Sequence, residues 1–221
     1  MLIYYWLLSF IKFDEEITFS LRRTIDYLLS PIVKQKLQVE IFSFFSFLGN
    51  SAFIWILIVI LLLIFEERKN PGISKRDIAF VTTFILCVST AIITSQIIVK
   101  NLVKRPRPCS LNIRLAFYLP GHRETSCPKD FSFPSSHATI AFAAATVITA
   151  FDKKRRWLYF FIAVLISLSR IYLGYHYFFD VVVGGIIGFL TSKVILGSIA
   201  TPESILDPTT LKELRGAGKP E

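Results

Sequence analysis

The sequence predicts an all-α fold: a polytopic membrane helix bundle with five or six transmembrane helices. Three observations predict it. Of 221 residues, 53% are hydrophobic and 19% are charged, whereas a soluble domain usually carries about 25% charged residues. Mean hydropathy is +0.55. The charges come in clumps between long apolar runs. This pattern excludes a disordered chain, a collagen-like fibre and a small disulfide scaffold, and argues against an ordinary soluble globule. The net charge of +9 does not indicate a nucleic-acid partner. The basic residues lie between apolar runs, where they meet anionic lipid headgroups or a phosphate.

A helix crosses the roughly 30 Å hydrocarbon core in about 20 residues. Residues 1–40 are expected to form an N-terminal interfacial or partly inserted helical segment. Its first eleven residues are apolar but too few to span, and Lys12 and Asp14-Glu15-Glu16 follow. Residues 17–29 alternate apolar side chains with Arg22, Arg23 and Asp26, which suits a helix lying in the interface. The segment lacks the basic start and small-residue cleavage site of a secretory signal. Residues 41–199 are expected to be the membrane-embedded domain. Its apolar runs are 41–65, broken at Gly49-Asn50, then 78–99, 136–151 (short), 157–173 and 181–199. Residues 200–221 read as a polar C-terminal tail with Pro202, Pro208 and Pro220.

Charges near membrane depth are costly and mark functional sites. Three clusters do so: residues 100–108, directly after the second run; 133–137, directly before the third; and 169–180, between the fourth and fifth. Alternating spans bring all three to one membrane face. Lys100, Arg107 and Arg170 offer three cations with no matching acids beside them, a surplus suited to phosphate. Ser135 and Ser136 sit at a helix start, where free N–H groups favour an anion. His176 and Asp180 are four apart. On a helix they share a face, so the carboxylate can hold one imidazole nitrogen protonated and leave the other to attack. His137 can serve as a general acid. For Lys104 and Arg105, contact with headgroups and a role in the site both remain open.

These clusters resemble the three signature motifs of the type-2 phosphatidic acid phosphatase superfamily: Lys-x6-Arg-Pro, Pro-Ser-Gly-His and Ser-Arg-x5-His-x3-Asp. Lys100 to Pro108 fits the first and Ser169 to Asp180 fits the last at every fixed position. The middle motif departs once, with Ser136 in place of glycine. The resemblance implies a helical membrane enzyme that hydrolyses lipid phosphates without metal or other cofactor. It implies that His176 is the nucleophile, forming a phosphohistidine; that Asp180 orients it; and that His137 protonates the leaving oxygen. Lys100, Arg107, Ser135, Ser136 and Arg170 would hold the phosphoryl oxygens. The expected partners are a membrane lipid phosphate and the bilayer; oligomeric state is left open. Undecaprenyl diphosphate, lipid A, phosphatidylglycerophosphate and phosphatidic acid all remain candidate substrates. Two alternatives of other classes are a non-hydrolytic lipid-phosphate binding or transport protein and an enzyme akin to the vanadium haloperoxidases, which share the motif set. The paired His176 and Asp180 argue against mere binding, and the apolar runs argue against the soluble haloperoxidases.

Basic residues also mark the two short connections on the other face: Arg68, Lys69, Lys75 and Arg76 in one, and Lys153, Lys154, Arg155 and Arg156 in the other. The positive-inside rule makes that face cytoplasmic. The clusters would then face outward, which in a bacterial inner membrane means the periplasm. Cys87 lies inside the second run and reads as a buried apolar side chain. Cys109 and Cys127 bracket a loop whose ends both return to the clusters. A bond between them would close about 18 residues and stabilise by roughly 3 kcal/mol. It requires an oxidising compartment, which agrees with the outward orientation. The loop it would restrain, residues 110–126, could form a lid or headgroup selector.

Overall fold

The computed structural model describes residues 2–69, 72, 74–111 and 127–199. Among these every regular element is helical. Helix α1 is Leu2–Leu29, α2 Gln35–Leu48 and α3 Phe53–Lys69. Helix α4 is Lys75–Val103, α5 Ser136–Phe151, α6 Arg156–Tyr172 and α7 Phe178–Ile199. The expected polar tail lies outside the described residues, as does the expected lid beyond Leu111.

Two helices, α4 and α7, are long and apolar enough to cross a membrane, and α2 with α3 makes a third if the pair is one span bent by 64°. The bend falls where the sequence places Gly49-Asn50. A Cβ at Gly49 would collide with the Ile166 side chain on α6 and lie 3.1 Å from His137 Cδ2. Helix α4 opens on a capping box: Ser74 Oγ accepts from the Asp77 N–H, and the Asp77 carboxylate accepts from the Ser74 N–H. It turns π-helical over Ile93–Val99, and the wider turn resets the direction in which the following Lys100 faces. It stops at Lys104, which adopts the left-handed conformation with φ 50°.

Helix α5 occupies the middle of the bundle. Its 16 residues reach about 24 Å, short of a full crossing, but protein rather than lipid surrounds it. Ala138, Ala141, Ala143, Ala144 and Ala145 are all fully buried. Small side chains let neighbouring backbones approach, as between helices in lipid. The closest approach is to α7. A Cβ at Gly184 would lie 2.6 Å from the Ser135 carbonyl oxygen, and one at Gly188 would overlap that of Thr139. Trp55, Cys87, Ala91, Ile148 and Ile166 complete a core shared by α3 to α6. Cys87 is buried there with its thiol towards the Ser192 carbonyl.

The exterior is apolar: Phe44, Phe47, Ile56, Ile85, Phe161, Leu190 and Val194 are exposed. Burial of polar groups is concentrated instead at one end, where α4 finishes, α5 starts and α6 turns into α7. At the other end the connection between α3 and α4 meets the one between α5 and α6, where Arg76 donates to the Phe151 carbonyl.

Candidate active site

The turn between α6 and α7 sets the centre of the polar end. Gly174 has φ +73°, a conformation that other residues rarely adopt. The chain folds back there, so that the Tyr175 and His176 N–H groups both donate to the Arg170 carbonyl. His176 is thereby delivered to the interior with 1% exposure. It does not share a helix with Asp180, a point the four-residue spacing left open. His176 precedes α7, and Asp180 lies in its first turn, where its Oδ2 accepts the Tyr177 N–H at 2.9 Å. His176 Nδ1 is 3.6 Å from the same oxygen, close enough for charge but beyond a hydrogen bond.

Arg107 fixes the tautomer. Its Nη1 lies 3.0 Å from His176 Nε2, and a guanidinium can only donate. Nε2 therefore carries the lone pair, and a neutral ring has its proton on Nδ1, facing Asp180 and Ser132. Burial, with Arg107 and Arg170 adding to it against Asp180, pushes His176 down to about 4. The imidazole is neutral at pH 7.

The other expected residues gather around this ring. Lys100 is 4% exposed and its Nζ donates to Ser136 Oγ at 3.2 Å. Arg170 is buried, bonded to Ser46 on α2 and set over the Tyr175 ring at 4.3 Å, with its Nε unpartnered. Ser135 is fully buried with its Oγ unpartnered. Its N–H donates to the Asp180 carbonyl at 2.9 Å. Ser136 begins α5 without a positive φ, so serine fits where the motif has glycine. His137 is half-buried, within electrostatic range of Arg170, His176, Arg107 and Lys100.

One expectation needs correction. The cations are not without an acid. Asp130 pairs with Lys100 Nζ at 2.6 Å and Arg107 Nη2 at 2.8 Å. Burial alone would raise its carboxyl, but Lys100 and Arg107 hold it below its usual value. Asp130 lies 23 residues from Arg107 along the chain, and only folding brings them together. Cys109 and Cys127 are joined as a disulfide with Cα atoms 5.8 Å apart. The bond lies two residues beyond Arg107 and three before Asp130, at the base of the segment that lays Asp130 across the cations.

Sequence reasoning missed three further participants. Ser132 Oγ donates to Asp180 and lies 3.5 Å from His176 Nδ1. Ser46 holds Arg170. Asp14 and Asp180 share Arg105, whose Nη1 is 2.6 Å from the first and 2.9 Å from the second. Burial pushes the Asp14 carboxyl up, opposed by Arg105 and the Phe179 N–H. Arg105 thus has a place in the site. Ser132 could have been found by its position three residues before Ser135; Asp14 and Ser46 carry no such signal.

The fold is shared with solved structures. LpxE of Aquifex aeolicus superposes with a TM-score of 0.53 at 24% identity, covering 79% of this chain and 93% of that one. The first transmembrane PAP2-type phosphatidylglycerolphosphate phosphatase of Bacillus subtilis gives 0.52 at 23%, covering 88% and 97%. In sequence, the undecaprenyl-diphosphatase of Sulfolobus acidocaldarius is 31% identical over 137 residues, 62% of this chain and 59% of that protein. The bacitracin transport permease protein BcrC of Bacillus licheniformis is 40% identical over 66 residues, 30% of this chain and 32% of that protein. The chain thus matches less than two thirds of the length of either relative. The model of the PAP2 superfamily matches residues 80–202, a stretch that holds all three motifs and every cation around His176, and to that superfamily the chain belongs.

Proposed function

We propose that the protein is an integral membrane lipid phosphatase, independent of metal, that works through a phosphohistidine on His176. The observation that carries this reading is the environment of His176: a neutral imidazole whose Nε2 lone pair faces the buried cation Arg107. Nε2 attacks phosphorus as the bond to the leaving oxygen breaks. His137 gives that oxygen its proton. The phosphorylated ring, still protonated at Nδ1, carries a positive charge that Asp180 offsets. Water activated by His137 then cleaves the phosphorus–nitrogen bond, releasing phosphate. Lys100, Arg107, Arg170, Ser135 and Ser136 hold the phosphoryl oxygens in a largely dry site, where fixed charges act most strongly.

Residues 41–199 form the catalytic membrane domain, crossing five or six times, with residues 1–40 against it at the interface and 200–221 as a tail. The site faces outward from a bacterial inner membrane, with the basic connections inside. Among candidate lipids, undecaprenyl diphosphate is favoured by the likeness to an undecaprenyl-diphosphatase. The test is phosphate release in detergent from undecaprenyl diphosphate, lipid A, phosphatidylglycerophosphate and phosphatidic acid, with and without chelator. Turnover fastest on the diphosphate and unaffected by chelator is expected, together with acid-labile phosphate trapped on the protein. Activity lost to chelator and restored by magnesium would overturn the metal-free mechanism. Absence of release from all four lipids would leave a binding or transport protein.

A further inference from the structure

Asp14 stands outside the stretch that matches the family model, yet its carboxylate is wholly buried at the start of α7. Its Oδ1 accepts the Phe179 N–H at 3.0 Å. One turn further along α1, Thr18 Oγ1 accepts the Phe178 N–H at 2.9 Å. Helix α1 therefore caps α7 in the turn that carries Asp180. The other Asp14 oxygen accepts from Arg105 Nη1, which also donates to Asp180 Oδ1. Arg105 is 12% exposed and lies over the Tyr177 ring at 3.7 Å. One guanidinium thus serves two fully buried carboxylates, and the group sums to a single negative charge.

We infer that Asp14 is a positioning residue for the reaction, sharing Arg105 so that Asp180 keeps its charge directed at His176. An arginine facing one carboxylate takes it as a two-pronged fork. Asp180 would then turn both oxygens to Arg105, and its charge would be cancelled where His176 needs it. With Asp14 as the second acceptor, Asp180 commits only Oδ1. Its Oδ2 remains with Tyr177, Ser132 and His176 Nδ1. The leftover negative charge is the counterpart of the positive ring formed on phosphorylation, and in a buried site such a charge acts with little screening.

This inference rests on the reading of His176 as nucleophile. Its test uses the full chain in detergent with undecaprenyl diphosphate as probe, measuring kcat, KM and thermal melting for Asp14→Asn, Asp14→Glu, Arg105→Lys and the Asp14→Asn/Arg105→Lys pair, with His176→Ala alongside. Asp14→Asn and Arg105→Lys should each lower kcat about tenfold or more per folded molecule, with KM within about twofold. Asp14→Glu should recover part of the loss, and the pair should fall no further than the worse single change, since both act through Asp180. Normal kcat per folded molecule in Asp14→Asn, or losses that multiply in the pair, would overturn the inference; if Asp14→Asn does not fold, Asp14→Ser, which also removes the carboxylate, decides in its place. An inactive His176→Ala beside a normal carboxylate-free variant at position 14 would refute the role of Asp14 only, whereas an active His176→Ala would remove both readings.

Discussion

The two ends of the bundle each hold an arginine–aspartate pair of the same length, and the pairs do different things. Arg155 meets Asp152 at 2.6 Å, with side chains 53% and 15% exposed. Arg105 meets Asp14 at 2.6 Å, with side chains 12% and 0% exposed. Distance does not distinguish them; surroundings do. Water and ions screen the first pair, which is worth little. The second is shielded, and removing one partner leaves a buried charge exposed to its neighbours. At the basic end, charge marks where the chain leaves the membrane. At the polar end, it is buried and held by fixed partners.

The most drastic way to break this contrast is His176→Ala. It should lower phosphate release by roughly three orders of magnitude or more, the scale of losing a covalent nucleophile. Substantial turnover in the purified variant would remove the role. Asp180→Asn should cost less, because it keeps the shape and loses the charge; an equal or larger loss would mean that Asp180 does more than orient.

Acid should unfold the polar end preferentially. His176 has its folded-state pKa at about 4, below the ordinary value near 6.5. Between those values the unfolded chain binds the proton first, so stability is present above about pH 6.5 and is lost as the pH falls towards 4. The loss is on the order of 3 kcal/mol for so buried a group. Melting temperature followed from pH 7 to 4 should fall, and His176→Gln should flatten the slope. Equal slopes would show that the burial of His176 does not govern acid stability.

A comparable effect on stability, with none on turnover, is expected of the disulfide. Cys109→Ser should lower melting temperature by several degrees, in line with roughly 3 kcal/mol for a loop of this length, while leaving His176 chemistry in place. Mass spectrometry of unreduced, alkylated protein should find both thiols protected; free labelling would remove one of the two supports for an outward-facing site. The smallest effect belongs to the basic end. Arg155→Ala should leave turnover unchanged and shift melting by a degree or two at most. A large loss of turnover would erase the contrast between the ends.

What could be read in advance follows the same division. The apolar runs made the helices legible because period and length are local properties. The cluster residues were legible because Lys100–Pro108 and Ser169–Asp180 hold their spacing within short segments. Asp130 carried no signal in the sequence, since its partners come from α4 and the residues after it. Asp14 looked like an interfacial charge, since its burial depends on α7. Whether His176 and Asp180 share a helix was open in the sequence, because four-residue spacing cannot reveal a glycine turn that ends just before the helix starts.

The contact between Asp14 and α7 also has a consequence for biosynthesis. Asp14 precedes Phe179 by 165 residues, so at 5–20 residues per second it is made roughly 10–30 s before its partner. Its charge partner Arg105 follows after 91 residues, but the Phe179 N–H that completes the contact comes only with α7, in the stretch of chain that also carries His176 and Asp180. A product truncated before His176 therefore lacks both the residue proposed to react and the contact that seats α1 against α7.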